Sequence, residues 1–280
     1  MFNLHRNALK YTNLGRHKNF RLIKGDVLNN KTLEKSIDNA DIVVHMAAIA
    51  GVKTVVEKPT MALKVNLIGS YNVLELCSKK GIKRLIIFST SEVYGPRIYQ
   101  ADEEGMTTLG AIGKPRWVYA MSKLASEFLA ESYHRQFGIK FTSVRPFNIY
   151  GPGMRFNDGR AVPNFVVSAL RGEKIPVYGT GSNTRTFCYV SDAITGFFKV
   201  LLSSHNREVF NIGSDEQEIQ MKHLADMILG LVENDESRIH AVEAPGEVYG
   251  VKTDPNRRYP DLTKIKTTIA KTHKYALRSE

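Results

Sequence analysis

Residues 41–90 read DIVVHMAAIAGVKTVVEKPTMALKVNLIGSYNVLELCSKKGIKRLIIFST. Two continuous apolar runs, 41–48 and 84–90, flank a segment with the spacing of a helix. Residues 59–80 put Met61, Val65, Ile68, Val73 and Leu76 at helical intervals, and Gly81 comes next as a stop. A strand that is apolar on both faces belongs inside a sheet covered on both sides, and a helix between two such strands makes the sheet parallel.

The pattern repeats outward in both directions. Upstream, 20–27 (FRLIKGDV) predicts a short strand and 30–37 a helix. Downstream, a loop holding Gly105, Gly110 and Gly113 leads to a helix over 118–137 and a strand over 140–146. After Gly151 the composition turns to Gly, Pro, Asn and Arg. The remaining elements are a helix over 162–170, a strand over 175–178, a helix over 191–202, a strand at 209–213 and a helix over 221–232. The expected fold class is α/β, a doubly wound parallel sheet. The expected division is a sheet domain over 1–150 and a smaller, mainly substrate-binding lobe over 151–280.

The sharpest chemical signal is Tyr119-Ala120-Met121-Ser122-Lys123. Positions i and i+4 share a helix face, so phenol and ammonium stand side by side. An unperturbed phenol titrates near ~10, and an adjacent cation favours the phenolate. Such a tyrosine suits proton removal from a hydroxyl whose carbon loses a hydride. Upstream, Phe88-Ser89-Thr90-Ser91-Glu92-Val93-Tyr94-Gly95 ends an apolar strand. Ligands of open α/β sheets bind at the carboxyl ends of strands. Thr90 and Ser91 offer hydroxyls there, and Glu92 offers a second acid/base.

STSEVYG (89–95), YAMSK (119–123) and RPFNIYGPG (145–153) together resemble the extended short-chain dehydrogenase/reductase family, which holds NAD-dependent nucleotide-sugar epimerases, dehydratases and decarboxylases. The resemblance runs from about Asp26 to Lys266 and implies a Rossmann-like sheet and NAD as cofactor. Within it, Tyr119 and Lys123 resemble the catalytic pair, with Thr90, Ser91 and Glu92 beside them. Asp26 and Val27 resemble the adenine-flanking pair. Ala47 and Ala48 resemble the strand end that passes the cofactor's ribose and phosphates. Asn66 resembles the family's helix asparagine, Ser89 belongs to the cofactor wall, and Pro146 and Phe147 resemble the segment at the nicotinamide. Asn148, Phe165, Val177, Tyr178, Arg185 and Arg258 resemble the substrate side: sugar contact, base-pocket walls and diphosphate clamps. Guanidinium suits a diphosphate because its fork donates two parallel hydrogen bonds.

The run 151–192 and TDPNRRYPD (253–261) are similar to UDP-glucuronate decarboxylases, as is KPRWVY (114–119) to those that modify lipid A sugars. The implied reaction passes through a transient 4-keto sugar, with a UDP-sugar as substrate. UDP- or dTDP-sugar 4-epimerase and 4,6-dehydratase are the alternatives. Ser91, where dehydratases carry an aspartate, counts against dehydration. Gly153, where decarboxylases often carry Arg, departs from their pattern.

The strand, glycine-rich turn and helix that open such a fold have no counterpart here, because Gly15 stands alone and Gly25 sits on another element. The strand at 41–48 is therefore expected to expose an unpaired edge. The chain by itself is expected to bind NAD weakly. A non-catalytic nucleotide-sugar-binding remnant is the reading from another class.

The remaining features exclude more than they assign. The net charge of +11 comes from scattered Lys and Arg without a long basic run, which argues against a nucleic-acid interface. No apolar run reaches the ~18 residues of a membrane span. Two cysteines, Cys77 and Cys188, make no disulfide framework and no metal site, which fits a reduced cytoplasmic setting. The family resemblance implies a homodimer packed through the helices near 59–80 and 118–137.

Overall fold

Strand Arg84–Phe88 is the keel of the molecule in the computed structural model, which describes residues 13–96, 98–114, 116–156, 159–232, 239–242 and 255–269. It is β2 of a four-stranded parallel sheet. β1 is Ile42–His45, β3 is Phe141–Pro146 and β4 is Glu208–Ile212, paired in the order β1-β2-β3-β4. Its side chains alternate as a pleated strand requires. Leu85 and Ile87 face a core with Val73, Leu74, Cys77, Ala130 and Phe141, under the helices Gly69–Lys80 and Arg116–Phe137. Ile86 faces the opposite core with Val144, Ala193, Val200 and Phe210, under the helix Val190–Leu202. Covering both faces explains why the run is apolar throughout. Each of the buried Leu, Ile, Val and Phe side chains in these two cores contributes ~1.5–3 kcal/mol.

The helix predicted over 59–80 is present but not uniform. Pro59–Leu63 and Gly69–Lys80 are α-helical, and Lys64–Ile68 between them forms a π-turn. A π-turn inserts about one extra residue and rotates the phase of the turns beyond it. Accordingly Val73 is buried, whereas Met61 and Ile68 of the same predicted face are exposed. Gly81 ends the helix in the left-handed region at φ +63, its N–H returning to Cys77 and Ser78 carbonyls.

Residues 20–26 are not a strand, contrary to the sequence expectation. A strand exists only where a neighbour completes its hydrogen bonds, and among the described residues none lies beside this segment. Val27 instead packs on the helix at Gly69, where a β-carbon would come within 2.6 Å of its methyl group. β1 is likewise paired on one side only among the described residues. Ile42 and Val44 along it, and Met46 just after it, are exposed.

Beyond β3, helices Ala161–Leu170 and Met221–Val232 and strand Ile175–Tyr178 enclose a second core of Phe165, Ala169, Ile175, Val177, Leu224, Ala225, Ile228 and Leu229. A mixed sheet of Ile219–Gln220, Thr184–Arg185, Arg257–Pro260 and Ile98–Ala101, in that order, brings the strand near the carboxyl end of the chain to the segment after β2. No described helix is long and apolar enough to cross a membrane. No described cluster of His, Cys, Asp and Glu could hold a metal. Cys77 and Cys188 are both buried free thiols, pushed up to about 12 and about 11 by burial.

Candidate active site

The carboxyl end of β2 and the first turns of the Arg116–Phe137 helix meet at one point. Thr90 leaves the strand extended and caps the 3-10 turn Ser91–Tyr94, its hydroxyl accepting from Glu92 N–H at 3.3 Å. The Tyr119 phenol lies near enough to the same hydroxyl for Thr90 to favour its ionised form. Ser89 Oγ and Ser91 are buried beside them, and Ser89 Oγ has no hydrogen-bond partner among the described residues.

Tyr119 and Lys123 lie one turn apart as expected, but the ammonium does not set the phenol's acidity. Lys123 is 3% exposed and its Nζ donates to the Phe88 carbonyl at 2.6 Å. Burial pulls its ammonium down to about 8, against the opposing charge of Glu127. Tyr119 is pushed up to about 12, chiefly by burial and then by the Glu92 carboxylate. The Thr90 hydroxyl and the Arg160 charge work the other way. Contrary to the expectation from spacing, Lys123 does not lower the Tyr119 phenol in this arrangement, because the lysine's ammonium is directed at a backbone carbonyl.

Asn66 sits in the π-turn and is 1% exposed. Its carboxamide closes a two-way link with Ile49, accepting from the N–H at 2.8 Å and donating to the carbonyl at 3.1 Å. It also donates to Ser122 Oγ at 3.0 Å. The asparagine thus ties the strand end at 47–49 to the tyrosine helix. Ala48 is half-buried, while Ala47 and Asp26 are exposed. Asp26 caps its own turn by accepting from Leu28 N–H, and the Val27 carbonyl accepts from Asn72.

At the end of β3, Pro146 is half-buried and Asn148 holds φ +21 while donating to the Thr186 carbonyl at 2.9 Å. The Phe147 ring is buried with Val93, Tyr94 and Ile98 and serves as packing. Gly213 must lack a side chain because a β-carbon there would meet Phe147 at 2.9 Å. A cleft of about 350 Å³ opens next to this segment, lined by Tyr150, Gly151, Met154, Arg155 and Arg160 among others. Arg155 and Arg160 are not among the residues the sequence singles out; the available cue is two guanidiniums in a glycine-rich loop.

The six substrate-side candidates divide. Arg258 Nη2 lies 2.6 Å from Glu92 Oε1, joining the strand Arg257–Pro260 to the turn under Tyr119. Arg185 is buried on the adjacent strand and donates to its own Thr184 carbonyl at 2.7 Å. Phe165 and Val177 differ from expectation. They are 4% and 2% exposed, packed inside the lobe's core. Their inward placement on helix and strand is what seals that core. Tyr178, the next residue on the strand, points outward and is exposed.

Comparison with known proteins bears on this geometry. Residues 4–213 match the description of the NAD dependent epimerase/dehydratase family. The chain is 37% identical over 251 residues to a UDP-N-acetyl-alpha-D-glucosaminuronate decarboxylase of Bacillus cytotoxicus, covering 89% of this chain and 76% of that one. It is 37% identical to UDP-glucuronic acid decarboxylase 1 of Danio rerio over 90% of this chain but only 57% of that protein. A crystal structure of UDP-glucuronic acid 4-epimerase from Bacillus cereus, in complex with UDP-glucuronic acid and NAD, superposes with a TM-score of 0.84. It is 26% identical and the match covers 99% of this chain and 82% of that one.

Proposed function

Since the chain belongs to the NAD dependent epimerase/dehydratase family, we propose that it modifies a nucleotide sugar through a transient 4-keto intermediate, and that its reaction is decarboxylation of a UDP-uronate. The observation that carries the reading is the meeting of Thr90, Tyr119 and Glu92 at the carboxyl end of β2, with Arg258 on Glu92. The decarboxylase relatives support the choice of reaction. The 4-epimerase likeness supports the alternative, which shares the first step.

The residues present fit the nicotinamide half of NAD. The buried Ser89 hydroxyl is without a partner, and Lys123 directs one of its three N–H donors at Phe88. Tyr119 and Lys123 would hold the nicotinamide ribose, with Pro146 and Phe147 near the ring. Ala47, Ala48 and Asn66 would border the phosphates, and Asp26 and Val27 the adenine. When bound, NAD supplies an acceptor that takes a hydride and returns it. Tyr119, as the phenolate that the positive charge of a bound nicotinamide would favour over the opposing effects of burial and Glu92, would take the C4 hydroxyl proton at its oxygen, with the Thr90 hydroxyl bridging to the sugar. Once the ketone has let the C6 carboxylate depart as carbon dioxide, C5 takes up a proton that originates in solvent, and Glu92 or Arg185 would manage its approach. Asn148 would face the sugar, Tyr178 the base, and Arg185 and Arg258 the diphosphate. Ser91 assists as a hydroxyl beside Thr90.

We place the sheet domain at 1–150 and the substrate lobe at 151–280, in a cytoplasmic homodimer. Exposed Met61, Ile68, Tyr71 and Phe128 on the two long helices support that contact. The test is incubation with UDP-glucuronate and excess NAD. Release of carbon dioxide with formation of UDP-xylose is expected. UDP-galacturonate as product would transfer the assignment to the epimerase, and UDP binding without turnover would make the chain a remnant.

A further inference from the structure

Tyr119, Lys123 and Glu127 recur every four residues and form one stripe on the Arg116–Phe137 helix. The third member has no assigned part in the chemistry, yet it is 8% exposed and carries a carboxylate. Arg145 of β3 holds it with a two-pronged grip, Nε to Oε1 at 3.0 Å and Nη2 to Oε2 at 2.6 Å. The remaining arm of that guanidinium, Nη1, donates to the Tyr94 hydroxyl at 2.9 Å. Tyr94 closes the turn that begins at Ser91, and its hydroxyl donates to Asn211 Oδ1 at 2.8 Å. Asn211 in turn donates from its backbone N–H to Glu103 at 2.7 Å and from its side chain to Ala101 and Asp261 carbonyls. One buried guanidinium therefore grips the helix of Tyr119 and the turn of Thr90 and Glu92 together.

Deepening the site proposed above and resting on that reading, we propose that Glu127, clamped by Arg145, is its positioning residue. It keeps the Tyr119–Lys123 helix in register with the Thr90–Glu92 turn and faces the Lys123 ammonium with a fixed negative charge. A buried ion pair is a costly fastener, since apolar side chains of similar volume often hold two elements as well or better. What apolar residues would not supply is the charge. The groups acting on the Lys123 ammonium are His45 from β1, the Phe88 carbonyl from β2 and Glu127 on its own helix, with Arg145 behind Glu127. His45 is neutral near pH 7, because burial and the Lys123 charge pull it down to about 4. Of these groups Glu127 is the anion that opposes the loss of the lysine's proton.

The test uses the full chain with NAD in excess and the double variant Glu127→Leu/Arg145→Leu, which removes both charges while keeping apolar volume. Thermal denaturation establishes that it folds. Expected are a roughly ten- to hundred-fold fall in kcat, the scale of a small misplacement at a reacting centre, with KM for the UDP-sugar little changed. Expected also is a Lys123 Nζ that loses its proton at lower pH, tracked by NMR of 15N-labelled lysine and assigned with Lys123→Met. If the double variant does not fold, Glu127→Gln is judged by the same titration. A Lys123 titration unmoved in the folded variant overturns the proposal, whatever happens to kcat. Should the wild type turn over no nucleotide sugar, the reading of the reaction fails, while the lysine titration still decides for or against the pair.

Discussion

Arg258 and Glu92 form an ion pair at 2.6 Å across the gap between the Arg257–Pro260 strand and the turn Ser91–Tyr94. Both side chains are largely withdrawn from solvent. The pair couples the residue proposed to clamp the diphosphate to the carboxylate that raises the Tyr119 phenol. An anionic ligand at Arg258 would thus change the charge felt beside Tyr119.

Arg258→Met is expected to raise KM for the nucleotide sugar about tenfold or more. It should also lower kcat, because Glu92 loses its partner. A double-mutant cycle with Glu92→Gln, read in kcat/KM, should give a coupling of ~1–3 kcal/mol. Additive effects would show that the two residues act separately.

Acid should destabilise the protein in part through His45. The unfolded imidazole takes a proton below about pH 6.5, whereas the folded one, buried and hydrogen-bonded to Ser70 at 3.0 Å, does so only near 4. The unfolded state therefore binds more protons between these values. Stability is full above pH 6.5 and is lost as pH falls toward 4, on the order of 2–3 kcal/mol. Urea denaturation at pH 4.5 and 7 checks it: His45→Gln should lose clearly less stability than the wild type over that interval.

Gly110→Ala is expected to cost ~1–3 kcal/mol, because a β-carbon there overlaps the indole of buried Trp117. Trp117 is the sole tryptophan, so its fluorescence reports both the melting temperature and the displaced ring. An unchanged melt and spectrum would contradict the packing.

Much of this architecture is legible in local pattern. The helix Asn30–Ile37 and the strand Ile175–Tyr178 fall where periodicity and turn residues place them. β2 is recognisable because it is apolar on both faces. What local pattern cannot show is partnership. FRLIKGDV has the composition of a strand but no neighbour to pair with among the described residues. The π-turn around Asn66 leaves no mark in hydropathy. Spacing alone marks Tyr119 and Lys123, but the lysine's choice of the Phe88 carbonyl depends on a strand thirty-odd residues away. The Glu127–Arg145–Tyr94–Asn211 chain draws one residue from each of four elements, so no window of sequence contains it.

UDP-glucuronate carrying deuterium at C4 offers the most direct measurement, with product monitored by NMR and mass spectrometry under excess NAD. A hydride that leaves and returns within the closed site predicts UDP-xylose that keeps the deuterium at C4 and gains one solvent hydrogen at C5. Tyr119→Phe should slow its formation by ~10²–10⁴-fold. Loss of the label to water, or a Tyr119→Phe variant as fast as the wild type, would contradict the account.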